Sequence, residues 1–273
     1  MTSIRPKLLN HVNIVPDNYD RCVEHLVEFY GGRFLMDVPV GDPHRACLIE
    51  IGRMIIEIFT PSFGSLLKRM SGPCVLGVEY QADIPQVREA MASLGIPVSM
   101  DHGEVLHIHA DDCLGMSVEF YGLAFVGEDR IQAVPALESQ AYWRDGHPLG
   151  LTGLRGYTLA VNDLDAAADF LKRFLSAQAA YEETRSVQGA RALGLKIADC
   201  IVELLAPVGE GAIASQLAQA GEGIVSVVFG ARDMDQVRSY HADRGVELID
   251  GLAPGRLGVP PSVNHGIFIE FTE

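Results

Sequence analysis

The chain has 273 residues, 48% of them hydrophobic, enough for one large domain or two ordinary ones and for a sizeable buried core. It carries 21 Lys and Arg against 36 Asp and Glu, a formal net charge of −15. That field repels a phosphate backbone and an anionic lipid surface, so neither nucleic acid nor a membrane is expected as a partner.

The opening residues, MTSIRPKLLNHVNIV, lack the long apolar run of a secretory signal. No apolar stretch approaches the ~20 residues needed to span a bilayer. The cysteines, Cys22, Cys47, Cys74, Cys113 and Cys200, are odd in number and form no C-x-x-C pair. They are expected to be reduced, in a cytoplasmic protein, and to serve as small buried hydrophobes rather than as ligands or nucleophiles.

Four segments follow one grammar: a strand, a helix, then further strands. The first, 8–61, opens with HVNIV, turns at PDNYD and enters a helix over CVEHLVEFY that Gly31 and Gly32 end. Strands RFLMDV, RACLIEI and RMIIEIFTP follow, the last two joined by a hairpin at Gly52 and Arg53. The second segment, 75–122, reads as strand VLGVEYQ, helix DIPQVREAMASLG and strands PVSM, VLHIHA and MSVEFYG. Residues 123–152 hold Pro135, Pro148, several glycines and the only tryptophan, Trp143, and read as a linker. The third segment, 154–207, runs GYTLAV, a helix over NDLDAAADFLKRFLSA, then ARALGLKIA and CIVELLAP. The fourth, 223–273, runs IVSVVFGA, a helix over RDMDQVRSYHADRG and the closing strand HGIFIEFT. Each helix begins at a capping residue: Asp17, Asp83, Asn162 or Asp163, and Asp233. Each closing strand sets a glutamate between apolar neighbours: Glu57, Glu119, Glu203 and Glu270. The expectation is an α+β protein of four βαβββ modules, paired into domains at 1–122 and 153–273.

Set in this repeat, the phrases LNHVNIVPDNYD, IIEIFTP, HADDCLGMSVEFYG, YTLAVNDLDAAADFL, IVELLAP and IFIEFTE resemble the vicinal oxygen chelate superfamily, which includes glyoxalases, bleomycin-resistance proteins and extradiol dioxygenases. The resemblance covers nearly the whole chain. It implies that paired modules curve their sheets into a half-open barrel around a divalent metal ion. It also implies ligands at the start of each module's first strand and in its last strand. On this sequence those positions are His11 and Glu57, Gly77 and Glu119, Gly156 and Glu203, and Ser226 and Glu270. Gly77, Gly156 and Ser226 depart from the pattern. A metal is therefore expected only in the N-terminal half, on His11, Glu57 and Glu119, with His107 able to fill the place left by Gly77. Histidine with carboxylates suits zinc, nickel, manganese, cobalt or ferrous iron.

His107 and His109 lie two apart in VLHIHA and so point to one side of a strand. His109 opens the epimerase-like phrase HADDCLGMSVE, and with Glu57 it is the candidate proton carrier. Each residue has a plainer alternative. His11 reads equally as a hydrogen-bonded structural histidine, and the glutamates as edge carboxylates or as partners of arginines. Glu79 and Glu50 are further candidate bases or solvated strand residues. Trp143, Arg144 and His147 either wall a cavity or pack domains together, and His265 reads as a turn residue. The sequence has no P-loop, dinucleotide glycine fingerprint or G-x-S-x-G.

The function expected from the resemblance is a metal-dependent lyase, isomerase or epimerase acting on a small oxygen-bearing substrate by enolate chemistry. The alternatives are a type I extradiol dioxygenase and a non-catalytic small-molecule binding protein of the resistance type. The dioxygenase pattern asks for histidines where Gly156 and Ser226 stand. A homodimer is allowed by the sequence but not required.

Overall fold

The computed structural model describes residues 3–69, 72–122 and 134–273. The first module comprises β1 (Leu8–Val15), α1 (Tyr19–Glu28), β2 (Arg33–Val38), β3 (Ala46–Ile51) and β4 (Met54–Phe59). A short helix, α2 (Pro61–Leu67), leads to the second: β5 (Cys74–Gln81), α3 (Ile84–Leu94), β6 (Met100–Asp101), β7 (Val105–Ile108) and β8 (Ser117–Tyr121). The third is β9 (Leu151–Ala160), α4 (Leu164–Leu175), β10 (Gln178–Arg185), β11 (Ala190–Ile197) and β12 (Cys200–Pro207). After α5 (Ala212–Ala220), the fourth is β13 (Gly223–Ala231), α6 (Met234–Ala242), β14 (Ile249–Asp250), β15 (Leu257–Val259) and β16 (Ile269–Thr272).

The strands form two eight-stranded sheets of identical order, β2-β3-β4-β1-β5-β8-β7-β6 and β10-β11-β12-β9-β13-β16-β15-β14. In each, the modules meet at a central antiparallel pair, β1 with β5 and β9 with β13. On either side of that pair lies a parallel neighbour, the last strand of each module. The crossover helix within each module makes these parallel neighbours possible.

Alternation along the strands sends each residue set to its own face. Val12, Ile14, Ile56, Ile58, Val78, Tyr80, Val118 and Phe120 join the helices in one apolar core that also takes in Tyr157, Leu159, Val202, Leu204, Val227 and Phe229 of the second sheet. The two halves therefore share a core. At its centre the hydroxyls of Tyr80 and Tyr157 lie 2.9 Å apart. The opposite face of each sheet carries the polar residues considered below.

Four helices begin close to the expected capping residues. Asn18, rather than Asp17, caps α1, accepting from the Arg21 amide; Asp83, Asp163 and Asp233 cap α3, α4 and α6. Elements absent from the sequence reading are α2, α5, β10, β14 and β15. β7 ends at Ile108, so His109 leaves the strand and caps the following turn. The hairpin at Gly52 and Arg53 is present, both with positive φ. Among the described residues no helix is long and apolar enough to cross a membrane.

Candidate functional site

Four adjacent strands, β4, β1, β5 and β8, each place an ionisable residue on the polar face of the first sheet. His11 sits on β1 directly opposite Glu79 on β5, and the two side chains meet at 3.1 Å. Asn13, two residues on, donates from Nδ2 to Glu79 Oε1 at 2.8 Å. Glu57 on β4 lies beside Asn13, and Glu119 on β8 lies beside Glu79. His11, Glu57 and Glu79 are 0%, 7% and 1% exposed, which makes the charge they carry expensive. Glu119 is half-buried and is the member of the group that solvent reaches.

The carboxylates divide a proton between them. Burial raises Glu57 well above the usual range, and the adjoining Glu79 and Glu119 push it further the same way. Burial also works against a charge on Glu79. The His11 ring, the hydrogen bond shared with Glu57 and the Asn13 amide outweigh it and hold Glu79 at about 2. Glu57 is thus the protonated donor and Glu79 the ionised acceptor. Glu119 is pushed up to about 8 by burial and by Glu79, against a hydrogen bond from Tyr121. Among the described residues no Lys or Arg pairs with Glu57, Glu79 or Glu119.

Two buried carboxyls, a half-buried one and an imidazole on one face are the donor chemistry of a divalent-cation site, and a cation there would supply the positive charge that the surroundings do not. The side chains do not stand ready to ligate. Among the described residues no three His, Cys, Asp or Glu converge as an ion's ligands would. His11 and Glu57 both turn to Glu79, so binding an ion would mean exchanging these contacts for it.

The sequence-derived candidates separate. His11, Glu57 and Glu119 lie on neighbouring strands of the first sheet, with Glu79 among them. Gly77 holds the register position corresponding to His11, and a Cβ there would meet Ser117 O at 1.8 Å, so no donor fits. Gly156 is closed in the same way, its Cβ meeting Ile201 O at 1.8 Å. His107 pairs with Glu119 across β7 and β8 but spends both ring nitrogens on the hydroxyls of Ser99 and Ser117, each at 2.5 Å. Burial lowers its pKa to about 4, against the pull of Glu79. His109 accepts from the Asp111 amide at 3.2 Å and lies 3.7 Å from the Asp111 carboxylate. Glu50 is buried and clamped by Arg33 at 2.8 Å, by Trp143 Nε1 at 3.0 Å and by the Glu138 amide at 2.9 Å. The linker residue Trp143 thus fastens the chain to β3 and packs at a tilt against His147. The ring centroids are 4.7 Å apart. His265 takes a positive φ in a turn, with Asp17 at 3.0 Å.

The second sheet repeats the layout and neutralises it differently. Glu203 on β12 lies beside Thr158, as Glu57 lies beside Asn13. Arg185 from β10 reaches Glu203 at 2.6 Å, and Tyr181 donates to the same carboxylate at 2.5 Å. Arg256 bridges Glu203 at 3.2 Å and Glu270 at 3.5 Å. Ser226 donates to Glu270 at 2.5 Å. A guanidinium therefore lies between the two glutamates of this half. Sequence reasoning missed both arginines. Arg185 sits on the unread β10 and Arg256 in a loop, and nothing in their spacing ties them to Glu203 and Glu270.

No family model matches the sequence, and no curated protein matches it. Solved structures do. A variant of 4-hydroxymandelate synthase from Streptomyces coelicolor superposes over 97% of this chain and 92% of its own, with a TM-score of 0.75 and 15% identity. This is the vicinal oxygen chelate fold in its four-module form. Methylmalonyl-CoA epimerase from Mycobacterium tuberculosis covers 44% of this chain and 87% of its own at 27% identity and a TM-score of 0.42. The Streptomyces coelicolor epimerase covers 43% and 94%, at 25% identity and a TM-score of 0.40. The closed glycine positions and the arginine-filled second sheet are where the structure differs from the donor set expected from the sequence resemblance.

Proposed function

We propose that the N-terminal half carries a divalent-metal centre on His11, Glu57, Glu79 and Glu119, and that it moves a proton next to a carbonyl group, as an epimerase, isomerase or lyase does. The observation that carries the reading is the cluster itself: the buried His11, Glu57 and Glu79 with the half-buried Glu119 on adjacent strands and, among the described residues, no arginine or lysine paired to the glutamates. A divalent ion bound there would stabilise negative charge that develops on a substrate oxygen, the kind of stabilisation that raises rate. Glu57 holds a proton in the metal-free protein and donates a hydrogen bond to Glu79; in this reading it would give that proton up when the ion binds, and its carboxylate would then accept and return a proton at the substrate carbon. Glu119 is the half-buried member of the cluster. His107 orients Ser99 and Ser117 at the cluster's edge and holds no free ring nitrogen for a metal in this arrangement. His109 caps the turn beyond the strand, and this reading does not use it as the proton carrier. The names of the fold relatives, an epimerase and a hydroxymandelate synthase, agree with proton transfer and with oxygen chemistry respectively. The second sheet, its glutamates bound to Arg185 and Arg256, serves this reading as scaffold.

The test is metal analysis of the purified chain, followed by incubation of the metal-loaded protein in deuterium oxide with 2-oxo acids, thioesters and hydroxy-ketones. Wild type should hold about one divalent ion per chain and exchange the α-hydrogen of at least one class. His11→Ala should lose at least about tenfold in metal affinity. Full metal content and exchange in that variant would remove the site. Oxygen consumption with catechols, without α-exchange, would replace proton transfer by ring-cleaving dioxygenation. An unreactive protein that binds these compounds would be of the resistance type.

A further inference from the structure

Two helices, α2 and α5, lead the chain into β5 and β13, the strands that open the second and fourth modules. The segments that leave these helices line one cavity at the seam of the two halves. Its volume is about 250 Å³, roughly the share of eight waters at about 30 Å³ each. Pro73 and Val75 wall it from the first half, and Ile224, Pro261 and Phe268 from the second. Lys68, the residue after α2, lines it too. A Cβ at Gly223 would stand 2.5 Å from Lys68 Nζ, so the glycine leaves open the space that the ammonium enters.

This ammonium has no counter-charge beside it. Among the described residues, every other Lys or Arg without an Asp or Glu partner is exposed, whereas Lys68 is half-buried. Two carboxylates lie near the cavity, and both are engaged elsewhere. Asp111 pairs with Arg69 at 3.5 Å, and Glu222 accepts from the Asn162 amide at 2.7 Å. Arg69 also borders the cavity, but it is 91% exposed and its guanidinium faces Asp111. Cys74, in the wall, stays a neutral thiol because burial raises its pKa, against the pull of Lys68. Burial likewise disfavours the ammonium and lowers the pKa of Lys68, against the pull of Cys74 and Asp111. Space, apolar walls and an uncompensated cation thus meet at one place.

We propose that this cavity binds a small monocarboxylate with a short apolar tail, its carboxylate on the Lys68 ammonium and its tail against Pro73, Ile224 and Phe268. One ammonium balances one negative charge. A phosphate dianion or a dicarboxylate brings a second, which would meet Glu222 in the lining instead of a cation. The bound carboxylate restores to Lys68 the charge that burial opposes. The site needs no metal and uses none of the glutamates of the first sheet. Because its walls come from both halves, a ligand there also fastens the seam between them.

The experiment is calorimetric titration of the full chain with butyrate, hexanoate and benzoate against their neutral amides. Chelation and dialysis come first, so that no carboxylate is drawn to the proposed metal centre. At least one acid should bind about tenfold or more tightly than its amide, the difference that a charge-assisted contact makes. Lys68→Met keeps the aliphatic stem and should bind that acid and its amide alike. Lys68→Gln serves in its place if thermal unfolding shows that the methionine variant does not fold. In amide spectra of isotope-labelled protein, the shifts caused by the acid should centre on Cys74, Val75, Ile224 and Phe268. Equal binding of acid and amide by wild type, or no binding within any pair, overturns the proposal. So does a preference that survives in the variant, or shifts centred on His11 and Glu119.

Discussion

Glu119 has the plainest consequence for solution behaviour. An unfolded glutamate ionises near 4.5, and the folded one at about 8, because burial and Glu79 oppose its charge. The folded state thus holds an extra proton across that interval. The stabilisation is fully present below 4.5 and is lost as pH rises through 8. The metal-free protein should melt at a lower temperature at pH 9 than at pH 6. Glu119→Gln should flatten that difference, and a divalent ion, favouring ionised carboxylates, should reverse it. Equal alkaline losses in the variant and wild type would assign the effect to another group. At this scale the sequence made His11, Glu57 and Glu119 legible through the repeat. It understated Glu79, because repeat register pointed to Gly77 and only strand alternation pointed two residues further. His107 and His109 looked alike in VLHIHA and differ because the strand stops between them.

The elements that read clearly carry strong local signals. α1, α3, α4 and α6 begin at Asn or Asp caps and bury one face. β10, QAAYEETR, is an exposed edge strand with little apolar alternation, so nothing marked it. α2 and α5 are short and rich in small residues, and they form where Leu67 and Ile213 find apolar cover. The close approach of β5 to β8 makes a sharper prediction. Gly77→His restores on paper the donor that the resemblance asks for at that position. In the sheet it must displace the Ser117 carbonyl, which a Cβ would meet at 1.8 Å. The substitution should destabilise by about 1–3 kcal/mol or more and lower metal affinity instead of raising it. Denaturant unfolding with metal titration checks both, and a stable variant of higher affinity would disprove the steric account.

Across the whole molecule, the seam between the halves concentrates histidine. His25 of α1 meets Asn264 at 3.1 Å and packs 5.2 Å from His265, centroid to centroid. His241 of α6 packs against Phe29 and Tyr30, and His147 against Tyr240. Burial lowers the pKa of His25, His147 and His241, with His265 acting on the first and Arg244 on the other two. These groups are neutral in the fold and take protons when it opens, so stability is lost as pH falls below the unfolded value of 6.5. Protection of the amides of α1 and α6, corrected for the slower intrinsic exchange at lower pH, should fall between pH 7 and pH 5 ahead of that of the central strands. A uniform fall in protection would mean that the seam does not yield first. The four-module architecture was legible from the repeat, but this seam was not, since it joins residues distant along the chain.

The guanidinium of Arg256, held between Glu203 and Glu270, cannot diffuse away. One half of the molecule thus carries its counter-charge covalently, and on the proposed reading the other would borrow it from solution. The halves share a core, so the proposed site would keep its scaffold without its ion. A chelator would then extract the ion without dismantling the protein, and the emptied chain would remain a competent receiver. In a cell where metal supply fluctuates, such a chain would track free-ion activity by reversible loading instead of by synthesis and degradation.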